Sequence, residues 1–297
     1  MLLEDRAVLR VSGADRASFL QGLLSADIRR CTLQRALWAA FLTPQGRYLH
    51  DVFVLEREGA FWLDCEAGAR GADLETRLRR YVLRAAVRLE AVPDLRVYAI
   101  APRSLALGSV ESTRGAVVEI PGRALFVDPR HPELGERMIA PLVQGADFLA
   151  AQGLRSAARS SYDRLRLALG VPDGSRDLTP DAAFPLENGF DELGGIDWEK
   201  GCYVGQEVTA RVRYRGLVKK RLLPARLTLP PSAAPPATGT PILAAEIEIG
   251  VVRSVCGLQA LALLRLAPWR AALEAGVPLR AGEALLTAAA APWMRLP

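Results

Sequence analysis

The stretch VPDGSRDLTPDAAFPLENGFDELGGIDWEKG, Val171 to Gly201, has neither the 3.6-residue period of a helix nor the alternation of a strand. Proline or glycine punctuates it repeatedly. Irregular segments of this length are uncommon inside compact domains and tend to carry function. The fold must therefore be built by the elements on either side. Upstream, the spacing predicts a helix from Ser156 that presents Ala158, Tyr162, Leu165 and Leu169 to a core. It stops at Gly170, with Pro172 just beyond. Downstream lies KGCYVGQE, residues 200 to 207, with a helix expected from about Gly205.

The first half of the chain reads as α+β. Ala7 to Val11 is a strand, and Ser12-Gly13-Ala14-Asp15 reads as a capping box before a helix burying Phe19, Leu20, Leu23 and Leu24. From Ala36 to Glu66 three strands are joined by Thr43-Pro44-Gln45-Gly46 and Arg57-Glu58-Gly59. The first turn has the proline and glycine positions that a type I turn prefers. Alternation places Leu49, Asp51, Phe53 and Leu55 on one face, so Asp51 is a carboxylate among apolar neighbours and needs a partner. A helix over 74–83 and strands over 97–100 and 116–120 follow. After Gly216, β-like runs flank the linker PPSAAPPATGTP, which reads as a separate C-terminal barrel or sandwich.

At 297 residues the chain is long enough for two or three domains. Its net charge of +5 comes from arginine, which suits carboxylate and phosphate ligands. A nucleic-acid surface on the arginine runs is weakly supported, because no aromatic stacking motif accompanies them. The four cysteines lie far apart and the two histidines, His50 and His131, are isolated, so no metal site is expected. No window resembles a membrane span. The N-terminus has neither a signal nor a transit pattern, so the chain is expected to be cytosolic.

Cys202 lies just ahead of the expected helix, beside Lys200, and both the helix dipole and nearby cations favour a thiolate. A buried structural cysteine fits this stretch as well. Gly201 and Gly205 permit close approach of the backbone, and Gln206 and Glu207 set the helix start. Glu187, in FPLENGF, is held at a corner by the neighbouring proline and glycine. It is either an exposed loop charge or a clamp on a ligand bearing adjacent N–H donors, such as a pterin. Arg211, Arg213 and Arg215 alternate and, if extended, share one face that meets an anionic tail. Three solvated arginines is the other reading.

KGCYVGQE resembles the signature of YgfZ-type folate-binding proteins of iron–sulfur cluster maturation and tRNA modification, relatives of the glycine-cleavage T-protein. DRASFLQGLLSADI, TPQGRYLHDVFV, SSYDRLRLALGVPDG, VRYRGLVKKRL and the late IGVVRSV extend the resemblance over nearly the whole chain. It implies an α+β three-domain ring. The domains are a discontinuous folate-binding domain of 1–30 and 95–215, an inserted ferredoxin-like domain of 31–94, and a C-terminal β-barrel of 216–297. It implies tetrahydrofolate at Glu187 and Asp51, with Tyr203, Gly205, Gln206, Arg211 and Arg213 nearby, and Cys202 as the functional thiol tuned by Lys200. The implied partner is an iron–sulfur cluster carrier or client enzyme. The alternative is a folate-dependent aminomethyl transferase with Asp51 as acid/base. Where the T-protein has two adjacent acids, this chain has His50-Asp51, and the T-protein lacks the cysteine.

Overall fold

Long-range strand pairing organises the first half of the chain, and it differs from the expected domain division. The structure, a computed structural model, describes residues 1–102 and 113–297. Two compact units are present. The first comprises Met1–Gln45, Leu49–Arg159 and Leu193–Gln206; the second comprises Gly46–Tyr48, Ser160–Glu192 and Glu207–Pro297.

In the first unit, β1 (Arg6–Ser12) leads into α1 (Arg16–Leu23), and β2 (Leu37–Leu42), β3 (Tyr48–Arg57) and β4 (Ala60–Glu66) form the expected meander. Helix α2 (Ala69–Val82) and β5 (Arg88–Ala91) follow. The sheet order is β2-β3-β4-β1-β5, with β1 antiparallel to both β4 and β5. Residues 31–94 therefore do not form a domain of their own, because β1 completes their sheet. A second, four-stranded sheet has the order β6-β9-β8-β7, from β6 (Leu95–Ile100), β7 (Val117–Ile120), β8 (Arg123–Val127) and β9 (Glu136–Pro141). Helix α3 (Leu142–Ala151) comes directly after it.

One local expectation changes at the start of α1. Helix α1 is capped at Asp15 without a side-chain bond; the Asp15 carboxylate instead accepts the Ala86 N–H at 2.7 Å. The loop before β5 thus takes the acceptor that a capping box would have used. Strand β3 is buried on both faces from Tyr48 to Leu55. Between the two sheets, Phe53 lies under three arginines: Arg137 at 4.0 Å, Arg130 at 4.8 Å and Arg6 at 5.3 Å from its ring centre. Asp64 pairs with Arg6 and Arg137, and Asp128 with Arg130. Such an ion cluster survives burial because each charge has a close partner.

The second unit begins at α4 (Arg159–Leu169), which ends at Gly170 as expected. Its buried face carries Tyr162, Asp163, Arg166 and Leu167, and Ala158 is exposed. Arg166 is fully buried and donates to Asp163 at 2.8 Å and Asp177 at 2.6 Å. Arg176 binds Asp163 and Asp173 in turn. These charges tie the start of the irregular stretch to α4, and beyond them only short 3-10 turns at Gly174–Arg176 and Pro185–Asn188 interrupt it.

Helix α5 (Gln206–Tyr214) precedes the barrel strands β10 (Lys220–Thr228), β11 (Pro241–Ala244), β12 (Ile247–Cys256) and β13 (Gln259–Arg265). After α6 (Leu266–Glu274), strands β14 (Leu279–Ala281) and β15 (Ala284–Ala288) complete a closed barrel. Closure leaves no open edge, and its core includes Leu223, Ile242, Val252, Leu264 and Leu286. Leu167 of α4 packs against Leu222, Leu261 and Leu263.

Candidate functional site

Two irregular segments, one in each unit, carry most of the predicted residues, with Asp51 on β3 and Arg211 and Arg213 on α5. In the first unit the loop before α5 is fixed by Lys200. Its ammonium is buried and donates to the carbonyls of Gln21 at 2.8 Å, Ala26 at 2.9 Å and Leu24. These carbonyls lie at and just beyond the end of α1, where helical acceptors lack partners and the dipole favours a cation. Burial lowers the lysine to about 8, leaving it charged at neutral pH. Lys200 therefore clasps the loop to α1, and its charge is directed to those carbonyls.

Other bonds finish the loop. Asp197 accepts the N–H groups of Glu199 at 2.9 Å and Lys200 at 3.2 Å, and its own N–H donates to Ser25 O. Val204 N donates to Gly22 O. The Gln206 side chain accepts from Tyr203 N at 3.3 Å, so Gln206 does define the start of α5. Gly205 sits at φ +86, and the Tyr203 ring is buried 4.9 Å from the Lys200 ammonium.

All four cysteines are free, and Cys202 alone is exposed. Cys31 and Cys65 are buried, and burial pushes both thiols up to about 12. They are inert at neutral pH. Of the two readings for Cys202, the buried one is excluded.

In the second unit Glu187 lies in the Pro185–Asn188 turn, half-buried, and its carboxylate makes no hydrogen bond or ion pair among the described residues. Burial raises its pKa, while Lys220, Arg253 and Arg47 pull it down. Arg253 donates to Thr179 at 3.0 Å; Arg47 donates to Ala182 O at 2.8 Å and lies over Phe184. The turn is held by Arg221, buried and bonded to Leu186 O and to Glu192, each at 2.8 Å. At Gly189, φ is +79 and an added Cβ would meet the Trp293 ring at 2.8 Å. The arrangement can accept N–H donors at Glu187 and place anionic groups against the cations.

Arg47, Lys220, Arg221 and Arg253 were not among the predicted residues. The local signals were the arginine right after the Gly46 turn and the KKR run opening β10. Arg211 and Arg213 lie on helix α5, not on an extended strand, so residues two apart do not share a face. Arg211 pairs with Glu207 at 2.8 Å, and Arg213 lies 3.8 Å from Asp191. Asp51 is buried at 3 % exposure and accepts the Trp38 indole N–H at 2.8 Å. Its neighbour His50 bonds Asp73, and burial lowers the imidazole to about 4, so it is neutral near pH 7. Among the described residues no cluster of His, Cys, Asp and Glu could hold a metal ion, and no helix is long and apolar enough to cross a membrane.

This fold is the T-protein fold. The chain superposes on the crystal structure of the glycine cleavage system aminomethyltransferase T from Bartonella henselae with a TM-score of 0.75. The match covers 99% of this chain and 86% of that one at 18% identity. Residues 219–296 match the model of the CAF17 C-terminal beta-barrel domain. Two mammalian proteins are similar along most of their length. The human iron-sulfur cluster assembly factor IBA57, mitochondrial, is 34% identical, covering 97% of this chain and 82% of the human one. Its mouse counterpart is 33% identical, covering 89% and 76%. The chain belongs to the IBA57 family of iron–sulfur cluster assembly factors. The cytosolic expectation is corrected by these relatives, whose names place them in mitochondria.

Proposed function

We propose that this protein is a folate-binding accessory factor that helps assemble, insert or repair [4Fe–4S] clusters in client enzymes, tRNA-modifying ones included. The observation that carries the reading is the exposed Cys202 thiol on a loop pinned from beneath by Lys200. Thiolate is the usual ligand of iron–sulfur clusters. A single thiol supplies one corner, so the remaining ligands come from a carrier or client protein. Kinship with the YgfZ-type proteins belongs to the same reading.

The residues around Glu187 fit a tetrahydrofolate. A partnerless carboxylate in a half-buried turn suits the adjacent N–H donors of a pterin, and Arg47, Lys220 and Arg253 suit an anionic tail. Bound folate would supply one-carbon or reducing chemistry; the residues themselves bind and orient it. The transferase alternative is less well supported. Asp51 is buried against Trp38, and His50 stands where a second acid would assist transfer.

The test is anaerobic titration of the wild-type protein and Cys202→Ser with a cluster-loaded carrier and, separately, with tetrahydrofolate. The serine variant is expected to keep its fold and folate affinity and to lose the visible chromophore shared with the carrier. A variant that forms the same chromophore would remove the thiol from the reading. Absence of folate binding in both proteins would remove the cofactor.

A further inference from the structure

A groove at the far end of α2 plays no part in this reading. It lies in the first unit between the last turn of α2 and β5, the edge strand of its sheet, and has a volume of about 490 Å³. Val82, Val87 and Leu89 give it an apolar floor, and Arg79, Arg80 and Arg88 form its rim. Arg79 is neutralised by Glu75 and Arg88 by Glu90. Arg80 and Arg84 have no carboxylate partner among the described residues, and both are exposed, which leaves two uncompensated positive charges beside the groove.

Leu83 lines the groove at 89 % exposure, the highest of the exposed large hydrophobic residues among those described. Its backbone sits at φ 44, ψ −104. A leucine gains nothing from water there, and positive φ strains a non-glycine residue. Glycine would fit this turn with less strain. Leu83 joins Val82, Val87 and Leu89 in one apolar patch rimmed by arginines, the arrangement that marks an interaction site.

We propose that this groove docks an acidic segment of another protein that bears a large apolar side chain. The apolar residue packs on Val82, Val87 and Leu83, and flanking carboxylates face Arg80 and Arg84. Charge complementarity selects this occupant: Arg80 on the rim and Arg84, next to Leu83 in the chain, have no carboxylate partner among the described residues, and a cationic or purely apolar segment would leave them so.

The probe is a fluorescein-labelled peptide, acetyl-DEELFEED-amide, followed by anisotropy on the intact protein. Two controls accompany it: the neutral QNQLFQNQ form and the apolar-free DEESSEED form. Wild type is expected to bind the first peptide at least fivefold more tightly than either control, and more weakly as salt rises. The double variant R80E/R84E is expected to weaken it at least tenfold, and Leu83→Ser at least threefold. These side chains are exposed, so circular dichroism and folate affinity should stay unchanged. The proposal is overturned by no binding in wild type, by equal binding of the apolar-free peptide, or by unchanged affinity in both variants.

Discussion

The loop of Lys200 to Gln206 and the turn of Phe184 to Glu192 solve one problem in different ways. Each is irregular backbone that must hold a reactive or binding group in place, and each is fixed by one buried cation. In the loop, Lys200 serves three carbonyls at the end of α1, with Asp27 and Asp197 acting on it only through longer-range attraction. In the turn, Arg221 divides its donors between a carbonyl and Glu192 and lies 5.8 Å from the centre of the Trp293 ring. Lysine's compact ammonium suits a cluster of backbone acceptors, whereas arginine's planar fork bridges two partners of different type. In both segments the clasp frees the functional group from structural duty. Cys202 stays exposed, and Glu187 keeps an unpaired carboxylate.

The comparison can be broken at either clasp. Arg221→Met takes the buried cation away from Glu192 and the Leu186 carbonyl, and breaking a buried pair costs about 3–5 kcal/mol. Chemical denaturation should register that loss together with loss of folate binding. Lys200→Met leaves three acceptors unmet, at a cost of about 2–3 kcal/mol. It should change the alkylation rate of Cys202 several-fold while folate affinity holds. If Lys200→Met abolished folate affinity and Arg221→Met spared it, the two clasps would have been assigned to the wrong groups.

Glu187→Gln sharpens the contrast with a smaller effect of opposite sign. Burial raises the folded-state pKa, so over the window between the ordinary and raised values the folded chain keeps a proton that the unfolded chain has released. Stability from this group therefore declines as pH climbs through that window. Glutamine removes the penalty and should stabilise the protein slightly at neutral pH, as chemical denaturation would register. It should also abolish folate binding. In wild type, folate affinity should fall on acidification at a pH above that of an ordinary glutamate, as calorimetric titration across pH would reveal. The smallest expected effect on stability is that of Cys202→Ser, within about 0.5 kcal/mol, because the side chain is exposed.

Local features were legible in the sequence wherever local chemistry decides the outcome. The meander of β2 to β4, the stop of α4 at Gly170 and the barrel strands all follow from periodicity and turn residues. The place of β1 between β4 and β5 was hidden, because antiparallel pairing across such sequence distance is settled by tertiary fit. Alternation misled at Arg211 to Arg215, where helix propensity after Gln206 prevailed. Arginine also concealed much of the interior. Arginine is a mostly exposed residue type, yet Arg166 and Arg221 are each buried among carboxylates or carbonyls from the irregular stretch. For Lys200 the residue was visible and its task was not, since three acceptors on α1 lie far away in sequence.

Trp293 packs on Gly189 and donates its indole N–H to Leu169 at 2.8 Å. During synthesis, the ribosome must therefore deliver a tryptophan made about a hundred residues later before the Glu187 corner can set. Until then a nascent chain has its barrel strands in hand while the Gly189 corner still lacks the ring that covers it.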